Sequence, residues 1–440
     1  MLKCAFYEKE ITPPLGCSIS GYGNLRKGTD VKDRLMAKAC VFSDGKDTVA
    51  LIALDALRIF YEVRQEIAKR VHAFTGIPEE NVLVAAIHTH TGIPEFDYDG
   101  DADALNNQAH YFDVFIKLIA DCAILAYRRL EDSALSFGIG NVDGISFCRD
   151  YIMRNSTPQT NPGRLNPDII GPASEIDTEL PVIFARSADG TPLGAVVTFA
   201  CHLDCVGGTE YSGDFASELS KQLKKVYGED FVTVFFMGTA GDINHFNVNV
   251  PEDAPDHFRK MGQKIAGEVI KTASFAEPIC GDTLKCRFRL VTINRTEISE
   301  DRIAEAKHTI ATVQEIPGAK IAADGTAKDQ YELMMARKLL AFLDSAPTQY
   351  EVPLHFMQIG DVKFFGFPSE IYCYFGLSLK EKCGTKKRMV ASYCNGLYGY
   401  IPTKELFYDT IYESRPGSNR LSADAGYIMV EQLLEMGEQS

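Results

Sequence analysis

No apolar stretch of this 440-residue chain approaches the ~20 residues that a helix needs to cross a bilayer. The opening residues, Met1 to Glu10, hold no apolar core of the signal-peptide kind. The expectation is a soluble, cytoplasmic protein with no stable membrane insertion. Basic residues are in the minority, 45 against 60 acidic. A net charge of -15 argues against a nucleic-acid partner, because a phosphate backbone calls for a positive footprint. The acidic residues are spread along the chain, so the excess reads as a solvated surface. There is no Gly-x-Ser-x-Gly elbow, which speaks against a serine hydrolase. Gly21-Tyr22-Gly23 lacks the strand-to-helix setting of a phosphate-binding turn. Internal repeats, low-complexity segments and Pro/Gly/Ser linkers are also missing.

What is present is a chain that is 45% hydrophobic, enough to bury a large core. Many of its 12 cysteines, such as Cys40, Cys201 and Cys394, sit inside apolar runs, where a free thiol behaves as a small hydrophobe. No dense, short-spaced cysteine framework appears, so reduced thiols are expected. Buried strands are predicted over 49–55, 194–201 and 231–237, and helices over 61–74, 113–130, 214–227 and 252–273. This alternation predicts an α/β fold with mixed, partly parallel sheets flanked by helices. Further strands are predicted over 283–293, 350–358, 363–367 and 388–393, and a last helix over 426–436. Helices at 299–313, N-capped by Ser299, and at 329–343 form a helical insert near 298–346, paired around a turn at Gly318 to Gly325 and packed on the main body.

The segment Asn81 to Gly92 carries the strongest chemical signal. An apolar run ends in His88-Thr89-His90. In extended chain alternate side chains share a face, so both rings would point the same way from the rim of a core. His202 follows another buried run, Gly241-Asp242 follows a third, and Glu370 follows the strand at 363–367. Ligands collect at the carboxyl ends of strands in open α/β sheets. Two or three histidines and a carboxylate there suit a zinc ion with an open position. Cys201 and Cys205 flank His202, but no Cys-x-x-Cys pair exists, which speaks against a thiolate zinc site. His72, His110, His257, His308 and His355 read as structural.

Taken together, these segments resemble the catalytic domain of the neutral/alkaline ceramidases. The likeness runs through Ile11 to Gly16, Ser20 to Gly23, Ala86 to Gly92 and Gly144 to Arg149. It continues through Cys201-His202, Ser212 to Asp214, Ala240 to Asn244, Phe367 to Glu370, Asn395 to Thr403 and Tyr412. The resemblance implies one ceramidase-like catalytic domain over 1–440, without a C-terminal immunoglobulin-like domain. It also implies a zinc-dependent hydrolase that cleaves an N-acyl amide bond. Carried over by position, the ligands of one Zn2+ are His88, His202, Glu370 and Tyr400, with His90 as acid–base group. Arg149 and Tyr412 match residues that contact the reacting carbonyl. Asn244 stands where the secreted members carry a serine and cannot serve as a nucleophile, so water is the expected attacker; His245 replaces the proline that usually follows. Asp204, Asp214 or Asp242 are expected to orient the ligand histidines. Two other readings stay open: the same metal chemistry on a soluble ester, lactone or sugar-derived substrate, and a non-catalytic binding protein. The partner is a small-molecule substrate; the oligomeric state stays open.

Overall fold

The computed structural model describes residues 2–22, 26–94, 102–316, 328–408 and 410–438, and gives the backbone alone for 102–110 and 113. One large sheet is built from β1 (Lys3–Glu10), β2 (Met36–Ser43), β3 (Thr48–Leu54), β4 (Val82–Ala86), β5 (Glu131–Asn141), β6 (Glu179–Ser187), β7 (Pro192–Phe199) and β8 (Val232–Met237). Across the sheet the order is β8-β7-β6-β5-β1-β2-β3-β4, with the short strand Glu277–Pro278 beside β5. Only β3–β4 and β7–β8 run parallel on this path; the other pairs are antiparallel.

The parallel pairs are where the near-continuous apolar runs fall. β4 and β8 are buried at every residue. Each has a helix packed on it, and β8 also lies against β2, β3 and β4, so no polar alternation is needed. A crossover helix joins the strands of each parallel pair: α1 (Tyr61–Thr75) links β3 to β4, and α3 (Asp214–Tyr227) links β7 to β8. Gly76 ends α1 in the left-handed conformation, its N–H returning to the His72 carbonyl. Between them in sequence, α2 (Ala102–Tyr127) packs on β1 and β2. A fourth helix, α4 (His257–Ser274), packs on α3, β5 and β6. Among the described residues no helix is long and apolar enough to cross a membrane. All twelve cysteines are unpaired.

A second sheet holds β9 (Leu284–Asn294), β10 (Gln349–Ile359), β11 (Val362–Gly366) and β12 (Arg388–Ala391), in that order, with β11 and β12 parallel. Between β9 and β10 come α5 (Glu300–Thr312) and α6 (Lys328–Ser345), which share a small apolar seam of Ala306, Ala336 and Leu339. The Ser299 hydroxyl accepts from the Arg302 N–H and caps α5. The turn expected at Gly318 to Gly325 lies outside the described residues. Arg415 ties this pair to the body through Glu332 at 2.8 Å. Two helices, α7 (Cys373–Lys382) and α8 (Ala425–Glu438), add Leu379, Met429 and Leu433 to a core with Phe356 and Phe365.

The two sheets meet through residues 392–395. Ser392 N–H donates to Met237 O at the end of β8 (2.8 Å), and Asn395 N–H donates to Val84 O of β4 (2.7 Å). Asn395 Oδ1 accepts in return from Val84 N–H (2.9 Å). One segment thus covers part of both edge strands of the large sheet, the positions most exposed to wrong pairing.

Gly241 seals a second contact between the sheets. Its N–H donates to Ile371 O at 2.9 Å, and a Cβ there would stand 2.5 Å from Glu370 O. Backbone cannot yield as a flexible side chain can. Gly241→Ala is expected to destabilise the fold by about 1–3 kcal/mol, the usual scale of overpacking. The measurement is a lowered denaturant midpoint at unchanged slope. An unmoved midpoint would show that the contact has slack.

Candidate metal centre and active site

The chain leaves β4 at Ala86, two residues before the first histidine. His88 adopts a left-handed backbone, φ 69°, with its N–H bonded to Ala56 O at 2.9 Å. The extended alternation expected for His88-Thr89-His90 is therefore absent. The rings converge for another reason. His90 N–H donates to Leu203 O (3.0 Å), and Thr89 bridges to Leu203, so the exits of β4 and β7 are bound together. His202 does not close β7 either; that strand ends at Phe199. The outcome is close approach of three ring nitrogens. His88 Nε2 lies 3.0 Å from His202 Nε2 and 3.3 Å from His90 Nε2.

Two of these rings have a fixed tautomer. His88 Nδ1 faces Leu57 O at 2.8 Å. His202 Nδ1 faces Ala240 O at 3.0 Å and Ile243 O at 3.1 Å. A ring that donates from Nδ1 to a carbonyl presents a lone pair at Nε2. His90 Nδ1 is buried and has no hydrogen-bond partner. Burial pushes His88 down to about 3, with the Leu57 carbonyl pulling the other way and the charges of Arg149 and Arg58 adding to the fall. Burial and then His88 push His90 down to about 3. Burial, then the neighbouring histidines and Arg149, hold His202 well below its ordinary value.

Lone pairs facing each other at this distance repel unless a cation stands between them. Ligands on a tetrahedral ion with bonds of ~2.05 Å are about 3.3 Å apart, close to the spacing of these nitrogens. The donor set fits a metal ion.

The carboxylate arrives from the second sheet. Ser369 turns the chain with φ 87°, and Glu370–Ile371 then pairs in parallel with Tyr400–Ile401, setting Glu370 beside Tyr400. Glu370 Oε2 lies 3.7 Å from the Nε2 of both His88 and His202 and has no hydrogen-bond partner. Burial raises the Glu370 carboxyl, while hydrogen bonding from Tyr400 and the charge of Arg149 oppose the rise. Arg149 is buried against Glu413 at 2.5 Å, with its guanidinium 5.0 Å from the Tyr400 ring centre. Burial alone would lower Arg149; Glu413 and Tyr400 more than offset it and keep the charge. The Tyr412 ring lies 5.6 Å from that of Tyr400, half-buried, with its hydroxyl 3.4 Å from Lys338 Nζ. The structure thus brings all seven candidates together.

One contributor has no signal in the sequence. Tyr393, at φ 55°, stacks on His88 at 4.2 Å and places its hydroxyl 3.0 Å from His88 Nε2. It stands in the segment that joins the two sheets. Gly21, with φ +120°, gives the glycine-rich stretch a use: a Cβ there would stand 2.9 Å from His90 Nδ1. The aspartates differ from expectation, since carbonyls and not Asp204, Asp214 or Asp242 orient the rings of His88 and His202. Asp242 instead holds the His202-contacting loop, accepting from Ser174 Oγ (2.5 Å) and Cys373 N–H (2.7 Å). Asn244 uses its amide on Asn161 (2.9 Å) and Phe246 N–H (2.9 Å), a bracing role.

Comparison with known proteins agrees with this architecture. A neutral ceramidase of Pseudomonas aeruginosa is 22% identical over 451 residues, covering 89% of this chain and 65% of that protein. A neutral ceramidase of Drosophila pseudoobscura pseudoobscura is 26% identical over 53% of this chain and 34% of its own length. The chain therefore spans less than two thirds of these curated relatives. The crystal structure of the Pseudomonas aeruginosa neutral ceramidase superposes with a TM-score of 0.73 at 21% identity, covering 99% of this chain and 74% of that one. A ceramidase complexed with C2 gives 0.74 at 20% identity, with the same coverage. The pattern described as neutral/alkaline non-lysosomal ceramidase, N-terminal, matches residues 8–252, more than half of the sequence. The chain belongs to the neutral/alkaline non-lysosomal ceramidase family.

Proposed function

We propose that residues 1–440 work as one catalytic module, a zinc-dependent amidohydrolase that cleaves an N-acyl bond of a ceramide-like substrate by attack of water. The observation that carries this reading is the trio of neutral imidazoles whose Nε2 atoms meet at 3.0–3.3 Å beside an unpartnered carboxylate oxygen. His88, His202, Glu370 and Tyr400 would hold the ion. Zinc bound there polarises a carbonyl and lowers the pKa of water toward ~7.

The protein's own groups divide the remaining work. His88 and His202 are locked through Nδ1 and suit ligation. His90 is not locked, so its Nε2 can take the proton of the attacking water and return it to the leaving amine. Arg149, kept charged by Glu413, and Tyr412 would hydrogen-bond the oxygen on which charge develops. Burial excludes competing water and strengthens each contact. The acyl preference rests on the family likeness. A panel of N-acyl amides, esters and lactones tests it; turnover confined to small polar lactones would replace the amide reading.

His88→Ala is expected to lose both bound metal and activity. His90→Ala is expected to keep the metal and lose about 10²–10⁴ in rate, the usual contribution of a positioned acid–base group. Full activity of His90→Ala on the preferred substrate would remove that role.

The buried rings also set a pH response. In the chelator-treated protein, ring nitrogen NMR shifts of His88 and His90 should remain those of neutral imidazole at pH 5. A midpoint near the ordinary ~6.5 would contradict this. Folded pKa values of about 3 lie below the unfolded value. Their contribution to stability is therefore full above ~6.5 and is lost as the pH falls, by about 1.4 kcal/mol per pH unit for each ring.

A further inference from the structure

Behind the loop that carries His202, a second set of ligating side chains converges. A ring nitrogen from each of His245 and His257 and the Cys205 sulfur all lie within 4.8 Å of one another. Asp204 Oδ1 stands 3.3 Å from His245 Nε2. Three separate pieces of backbone deliver these groups: the exit of β7, the loop after Ile243–Asn244, and the first turn of α4.

Their hydrogen bonding is what points to a ligand. His245 is only 4% exposed, yet neither of its ring nitrogens has a hydrogen-bond partner. His257 Nε2 and Asp204 Oδ1 are likewise buried without one. Each such atom ordinarily carries a desolvation cost that nothing offsets. Unmet ring nitrogens of His245 and His257, converging with the Cys205 sulfur, are a donor set awaiting an acceptor of electron pairs. Asp253 is nearby, 3.9 Å from His245 Nδ1, but Arg164 already occupies it at 2.6 Å. Cys205 lies against Met261 Sδ at 3.4 Å, and burial keeps its thiol protonated in the absence of a cation. Coordination by a cation deprotonates such a thiol.

We propose that Cys205, His245 and His257 form a second metal site, separate from the His88 centre and with Asp204 beside His245, for a borderline-soft divalent ion, zinc by preference. Two imidazoles and one thiolate make three protein ligands of the kind zinc takes, with its fourth position left open. A sulfur donor distinguishes it from the first site, which has none.

That difference makes the test direct. The full chain is stripped with a chelator and titrated with Co2+. The wild type should take up about two ions per chain and show a near-ultraviolet sulfur-to-cobalt charge-transfer band. Cys205→Ser should take up about one ion and lose the band while keeping the visible cobalt absorption of the other site. His257→Gln, a change at the rim of the site, should weaken the band without loss of helical circular dichroism. His88→Ala should keep the band. Absence of the band in the wild type, or its survival in Cys205→Ser, would overturn the proposal. The His88 variant keeps this outcome independent of the catalytic reading.

Discussion

Everything at the centre of this molecule depends on holding three uncharged imidazoles against one another in a dry interior. Left alone, that arrangement is repulsive: the Nε2 atoms of His88 and His202 share 3.0 Å with no hydrogen assigned between them once both Nδ1 atoms donate to carbonyls. The fold supplies the restraint. Leu203 clamps His90, Ala56 clamps His88, and the 240–243 loop clamps His202. Burial does the rest, since a proton on any ring would need solvation that the interior does not provide.

Charge is arranged around the centre with the same economy of water. Arg149 and Glu413 are both buried, and such a pair is costly unless its hydrogen bonds are met. Glu413 accepts a hydrogen bond from Thr160 Oγ1 (2.7 Å) through Oε2, while its Oε1 is paired by charge with Arg149 at 2.5 Å. The guanidinium also lies 5.0 Å from the Tyr400 ring centre, where an aromatic face attracts a cation. A fixed positive charge near an uncharged histidine cluster lowers the affinity of those rings for protons without competing for their lone pairs.

Much of this was legible in the chain. Apolar runs gave β3, β4, β7 and β8, and the helix expected over 61–74 is α1. The strands β1, β2, β5 and β6 went unread. β5 alternates buried and exposed residues and mixes glycine and serine into its length, so its apolar signal is diluted. For the site, residue types and their place after apolar runs located His88, His90, His202 and Glu370, while the family likeness supplied Tyr400, Arg149 and Tyr412. The backbone reasoning behind His88 and His90 failed, because a left-handed residue at His88 ends the alternation that extended chain would have kept. Tyr393 stayed hidden for a similar reason: nothing local in a strand end reports a contact 305 residues away. His245 and His257 looked unremarkable because their meeting depends on how α4 docks.

The segment 392–395, which closes against both edge strands of the large sheet, has a consequence for the order of assembly. His88 and His202 are synthesised long before Glu370, Tyr393 and Tyr400 exist. Until the late segment reaches β4 and β8, the early histidines face an open edge and lack their carboxylate. Contacts of this sequence separation form slowly, since loop closure must precede them. A nascent or truncated chain therefore carries an incomplete cluster, which closes only when the last third of the polypeptide has folded home.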